Sequence, residues 1–236
     1  MEVEKKVYPN QPLIEVVFEI RFPGEPVIEC KRYEFYNKVR KDYSHVIIPS
    51  IQAEGFPALN PYRFEKADGS AGTMIAIDKF SYYTHKYPGY DEFKKEFLLL
   101  VSEFNKLFNL TKLIRVGWRY VNIISFTREN GHIPLKRFFN SVLHLGKDIS
   151  DEYENLNIIL VSKKDAYSIT TRLESMKKTD GSGGEALLLD FDCSNNKDLW
   201  FPKIETYIEC THNIARNMFE QIITTDYRKY LLGEKI

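Results

Sequence analysis

The chain has little cysteine. Cys30, Cys193 and Cys210 are the whole supply in 236 residues, an odd number with no C-x-x-C pair. A disulfide framework is therefore excluded, and the three read as reduced, partly buried thiols of a cytoplasmic protein. Long apolar runs are missing too: none approaches the ~18 residues of a membrane helix. The opening MEVEKKVYPN is charged and has no apolar core region, so neither a signal peptide nor a membrane partner is expected. Net charge is absent, with Lys plus Arg at 33 and Asp plus Glu at 33. That removes the strongly basic footprint of a dedicated nucleic-acid binder and leaves room only for a local basic patch. There is no G-x-S-x-G, no Walker loop and no G-x-G-x-x-G. His45, His85, His132 and His144 lack metal-ligand spacing. No cofactor, no metal and no complete nucleophile–base pair is expected, and the chain reads as a non-enzyme.

What is present is aromatic and apolar. Fifteen Tyr and sixteen Phe serve a core first, and any exposed Tyr favours a partner surface. The length allows one large domain or two halves that share a sheet.

One stretch near the middle organises the rest: Lys112 to Phe126, KLIRVGWRYVNIISF. Its β-branched and aromatic residues suit a pleated, packed surface. Alternation puts Ile114, Val116, Trp118, Tyr120, Ile124 and Phe126 on one face. Arg115, Gly117, Arg119, Val121, Ile123 and Ser125 take the other. A strand partly apolar on both faces is predicted to be central.

Before it, residues 1–12 form an arm held extended by Pro9 and Pro12. LIEVVFEIRF alternates as a half-buried strand. A short helix is expected over 30–43, short strands between Val46 and Lys86, and a hairpin turn at Ala67-Asp68-Gly69-Ser70. Phe93, Phe97, Leu100, Phe104 and Phe108 recur at helical steps over Asp91 to Asn109. After the central strand come a short helix from Pro134 through Leu143 and three strands, ENLNIILVS, AYSITTRLESM and EALLLDFDC. A mobile loop spans Thr179 to Gly184. A last helix opens at Pro202, with Ile204, Ile208, Thr211, Ala215, Met218 and Ile222 in a stripe, and Tyr227 to Ile236 reads as a tail. Residues 13–110 thus form one α+β half and 111–236 a second that shares its sheet.

The fold class is therefore α+β, a largely antiparallel sheet with two long helices on one face. The repeated order of strand, helix, strands and helix suggests a duplicated unit. It resembles the TATA-binding-protein-like arrangement, a fold-level analogy that carries no function.

Four clusters bear chemistry. Asp190 and Asp192 lie two apart on one strand face, where paired carboxylates hold a cation or act as acid and base. Arg172 and Glu174 are placed alike on the neighbouring strand, and the alternative is an ion-paired solvent face. Arg119, Tyr120 and Asn122 put polar groups in a strand that looks buried. They read either as an anion or ligand site or as a network that fixes register. His212 is placed on the polar side of the last helix, with Glu209 able to orient it.

Y-P-N-Q-P-L-I-E-V-V-F-E-I-R-F, W-R-Y-V-N-I-I, L-L-L-D-F-D and H-N-I-A-R-N-M-F-E-Q-I-I-T-T occur in that order. Together they resemble a sporadically distributed, functionally uncharacterised prokaryotic protein family. The resemblance implies a stand-alone intracellular protein of one domain's size. Its patchy distribution resembles that of defence-associated or mobile genes. The family's recurrent positions match Arg119, Tyr120, Asn122, Asp190, Asp192, His212 and Phe219, and no activity comes with them. The leading expectation is a non-enzymatic binding or adaptor protein with a protein partner or a second copy of itself. A metal-dependent hydrolase or nuclease using Asp190 and Asp192, and a nucleic-acid-binding module using a curved sheet, stay open.

Overall fold

A computed structural model describes residues 7–48, 61–140, 152–178 and 183–234. The first half runs β1 (Leu13–Arg21), α1 (Val27–Val39), β2 (His45–Ile47), β3 (Tyr62–Glu65), β4 (Ala71–Ala76), β5 (Lys79–Thr84) and α2 (Tyr90–Phe108). The second runs β6 (Lys112–Leu113), β7 (Arg115–Phe126), α3 (Leu135–Phe138), β8 (Asn157–Lys164), β9 (Tyr167–Lys177), β10 (Glu185–Asn195), β11 (Leu199–Trp200), α4 (Ile204–Ile222) and α5 (Thr225–Leu231). The chain is α+β, built on a large antiparallel sheet with helices.

Among the described residues nine strands form one sheet, in the order β2-β3-β4-β5-β1-β7-β10-β9-β8. The centre is the antiparallel pair β1–β7, where Phe18 lies opposite Trp118 and Val17 opposite Arg119. On each side a meander runs inward from the edge and lays its last strand beside a central one, β5 beside β1 and β10 beside β7. β6 and β11 make a separate two-stranded ribbon.

Alternation decides which residues meet the helices. Val16, Phe18, Ile20 and Phe22 share a face with Val116, Trp118 and Tyr120, and all are buried. Phe18 meets Phe97 of α2 edge-on at 4.6 Å, and Phe93 of α2 lies 4.9 Å from Trp118. Trp118 is fully buried, as its place on the apolar face of the central strand demands. Phe35 of α1 joins the same core through Phe80 and Phe104. α4 packs across β7 and β10 on this face, so both long helices cover one side. A second cluster continues the core through Leu187, Leu189, Phe191, Phe219 and Tyr227.

Local signals explain the helix ends. Gly89, at φ 111°, and Asn109, in the left-handed region at φ 49°, bracket α2, and left-handed residues are common helix stops. Asp91 and Glu92 stand in its first turn and Lys106 in its last, which suits the helix dipole. α1 begins earlier than its thin apolar stripe predicts, at Val27 rather than residue 30, because Pro26 already holds φ at −61°. The expected tail after Tyr227 is instead α5. The Thr224 side chain caps it by accepting from the Tyr227 N–H, and Tyr227 and Leu231 are buried. The short helix predicted through Leu143 is a single turn ending at Phe138, and Val142 and Leu143 lie outside the described residues. So do residues 1–6 of the arm, the end of the extended run at 49–52, and Thr179 to Ser182 of the expected loop.

Candidate functional site

The face of the sheet away from the helices carries no helix among the described residues, and it holds most of the charged candidates. On it, Arg119 of β7 holds Asp190 of β10 bidentately, Nε to Oδ1 at 2.9 Å and Nη2 to Oδ2 at 2.7 Å. Arg115 reaches both carboxylate oxygens of Asp192 at 2.8 Å and Glu19 of β1 at 3.0 Å. Arg172 of β9 lies opposite Asp190 in register and pairs with Glu174 two residues along its own strand. The expected Arg–Glu–Asp–Asp group therefore does share a face.

The geometry of the Arg115 bridge depends on Gly117. A β-carbon there would lie 2.5 Å from the Arg115 Nη1, so the guanidinium lies flat across the strand where a side chain is missing. The same device recurs in the other half. The Tyr83 hydroxyl crosses Gly72 to donate to Glu65, and a β-carbon at Gly72 would meet that hydroxyl at 2.6 Å.

Electrostatics follows from these pairs. The Asp190 carboxylate holds the Arg119 guanidinium above its usual range. Burial pushes the Asp192 carboxyl up, against the opposing pull of Arg115 and Arg119. A divalent cation needs several oxygen ligands with open lone pairs. Both carboxylates already face guanidinium forks, so a cation would have to displace Arg115 or Arg119. Among the described residues no group of three or more His, Cys, Asp or Glu is gathered to hold a metal.

The remaining candidates lie on the opposite, helix-covered face, because adjacent strand residues point to opposite sides. Tyr120 and Asn122 point there, away from Arg119. The Tyr120 hydroxyl stands 2.7 Å from the His212 Nδ1 and 3.2 Å from the Tyr87 hydroxyl. His212 is only 7% exposed and stacks on Tyr90 at 3.9 Å. This corrects the expected polar-side placement. His212 follows Ile208 by four residues and precedes Ala215 and Phe219 by three and seven, which is the buried stripe itself. Glu209, its expected partner, is exposed, and the imidazole packs among Tyr90, Trp118 and Tyr120. Asn122 Nδ2 donates to the Leu189 carbonyl across the sheet at 3.0 Å, a register-holding bond. A cavity of about 40 Å³, room for about one water, is lined by Tyr8, Leu13, Tyr87, Tyr120, Asn122 and Arg216.

Two features escaped sequence reasoning. Arg115 was placed on the polar face but not singled out, although its spacing of four from Arg119 puts both forks on one side. Glu220 is buried on α4 and accepts from the Tyr8 hydroxyl at 2.8 and 2.9 Å. It also pairs with Arg216 at 2.8 Å and Arg228 at 3.1 Å. Burial and the Glu220 carboxylate together push the Tyr8 hydroxyl up. With the Asn10 N–H bonded to the Leu231 carbonyl at 3.1 Å, this cluster ties the arm to the C-terminal helices. Nothing in a local motif announces a contact spanning most of the chain.

No protein-family model matches the chain, and no curated protein matches it. Among the described residues no helix is long and apolar enough to cross a membrane.

Proposed function

We propose that the protein is a non-enzymatic binding or adaptor module that engages a protein partner through the open face of its sheet. The observation that carries this is the charge balance of that face. Register places Arg21, Arg63, Lys79, Arg115, Arg119, Lys163 and Arg172 on it, and against them Glu15, Glu19, Glu65, Glu174, Asp190 and Asp192. A polyanion such as nucleic acid binds by neutralising phosphates with an excess of cations. A mosaic of both signs instead complements another mosaic, which sets register and partner choice.

The two meanders around β1–β7 support a further part of this reading. In each half a meander, of four strands in the first and three in the second, runs from the edge back to a central strand, as a duplicated unit in a TATA-binding-protein-like arrangement would. The family resemblance and a cytoplasmic, defence-associated setting belong to the proposal as well, and rest on the sequence motifs and reduced thiols alone.

Site-specific photo-cross-linking in the host cell tests the reading. A cross-linking residue at Val17, on the open face beside Arg119, is expected to trap protein. The same residue at Leu99, exposed on α2, is expected to trap much less. Arg119→Glu with Arg172→Glu is expected to abolish the Val17 product. Cross-links to nucleic acid, or equal yields from both positions, overturn the proposal.

A further inference from the structure

The two edges of the sheet are built differently. β2 is three residues long, and a short edge offers little to pair with. β8 is eight residues long, paired without a break to β9 from Asn157 to Lys164. Its outer side faces no strand among the described residues. In an antiparallel pair, alternate residues turn their N–H and C=O groups toward the partner. The Ser175 N–H donates to the Leu156 carbonyl, so the even positions of β8 face β9. Asn157, Ile159, Val161 and Lys163 then turn their backbone groups outward.

The side chains on this edge are apolar where an unpaired edge is normally polar. Ile159 is 61% exposed, Leu160 52% and Val161 67%. β8 has no proline and no bulge, and its basic residues stand only at one end. Natural edges are commonly blunted by such devices. Here the centre of the strand is open and the charges are split by end. Glu152 and Glu154 precede the strand and Lys163 and Lys164 close it.

That split is self-complementary. We propose that β8 pairs antiparallel with β8 of a second copy of this chain, around a two-fold axis at Leu160. This register sets Ile159 against Val161 twice, Leu160 against itself and Asn157 against Lys163. Lys164 of each copy then stands diagonal to Glu154 of the other, within reach of a long side chain. Each outward residue meets an outward residue, and every such pair exchanges two backbone hydrogen bonds. An in-register parallel pairing would instead set Lys163 and Lys164 of one copy beside the same lysines of the other. The join continues the sheet from one copy into the next and leaves both open faces on it. It stands independently of what binds those faces.

Sedimentation and light scattering of the whole chain over a concentration series test the proposal. The parent is expected to reach twice its 27.7 kDa mass. Ile159→Lys with Val161→Lys is expected to return it to one copy with its circular dichroism spectrum unchanged, because both positions are exposed, and with a melting temperature that no longer depends on protein concentration. Leu160→Cys, in a Cys30→Ser background, is expected to form a disulfide-linked dimer on mild oxidation. A cysteine at Leu99 is expected not to. Facing non-hydrogen-bonded residues lie about 4.5 Å apart at Cα, inside the span a disulfide bridges. A parent that stays at one copy at every concentration overturns the proposal. So does a dimer indifferent to the two lysines, or one that fails to cross-link at position 160.

Discussion

At the scale of single residues, environment outweighs identity. Cys193 and Cys30 are the same thiol in opposite settings. Burial pushes Cys193 up to about 12, while Cys30 is exposed on α1. The reactive species is the thiolate. In native protein at pH 8, iodoacetamide is therefore expected to label Cys30 and leave Cys193 unmodified; peptide mapping that finds Cys193 labelled first would sink the packing assigned to β10. Gly117 makes a second test. Gly117→Ala puts a methyl where the Arg115 guanidinium lies, and the flexible end of that side chain must lift away from Asp192 and Glu19. The expected cost is about 1–2 kcal/mol, and Arg115→Ala should add almost nothing in the Gly117→Ala background. Full additivity in a denaturant double-mutant cycle would show that the two do not share one interaction. Residue-level reading was good where alternation ruled. Trp118 falls in the core, and Arg119 finds Asp190. It failed for His212 because a polar side chain in an apolar stripe was assigned by its chemistry rather than its phase. The tyrosines that accept it come from β7 and from the start of α2, far away in sequence.

Among the elements, the long and periodic ones were legible: β1, α2, β7, β9, β10 and α4 stand within a few residues of where pattern puts them. Short elements held by their neighbours were not. α5 has only seven residues, too few to fold alone. It exists because Tyr227 and Leu231 bury themselves against Phe138 and α4, and because Thr224 caps it. Thr224→Ala is expected to cost about 1 kcal/mol, read as a lower urea midpoint with an unchanged slope. It should also loosen the arm, since Asn10 bonds to Leu231 and the Tyr230 carbonyl at the end of that helix. Hydrogen exchange at the Asn10 amide should rise in the variant, and unchanged protection there would show the arm to be held elsewhere. The candidate site was half legible for a related reason. Two residues apart on a strand guarantees a shared face, which brought Asp190, Asp192, Arg172 and Glu174 together on paper. Which strands are neighbours is a matter of topology, and that placed Arg115 and Glu19 in the cluster.

For the whole molecule, tyrosine dominates the response to alkali. Burial pushes Tyr82 and Tyr87 up to about 12, and Tyr43, beside Glu96, is also raised by burial. In the unfolded chain these hydroxyls lose their protons near the ordinary value of 10.0. Between pH 10 and 12 the unfolded state therefore binds fewer protons than the native one, and stability falls as pH rises. The native ultraviolet titration is expected to show these tyrosines ionising only as the protein unfolds. A reversible, fully native titration centred at pH 10 would contradict their burial. The strand order has a consequence in time. Within each meander neighbouring strands are adjacent in sequence, and the closures of β5 on β1 and β10 on β7 span about 60–80 residues, but the seam joins Val17 to Arg119, about a hundred residues apart. Refolding should therefore assemble the flanks first and zip the middle last. Trp118 sits on that seam, so its fluorescence is expected to lag the far-ultraviolet signal after dilution from denaturant. Coincident traces would mean that the first long-range contact to form is the seam itself, with the flanks condensing around it.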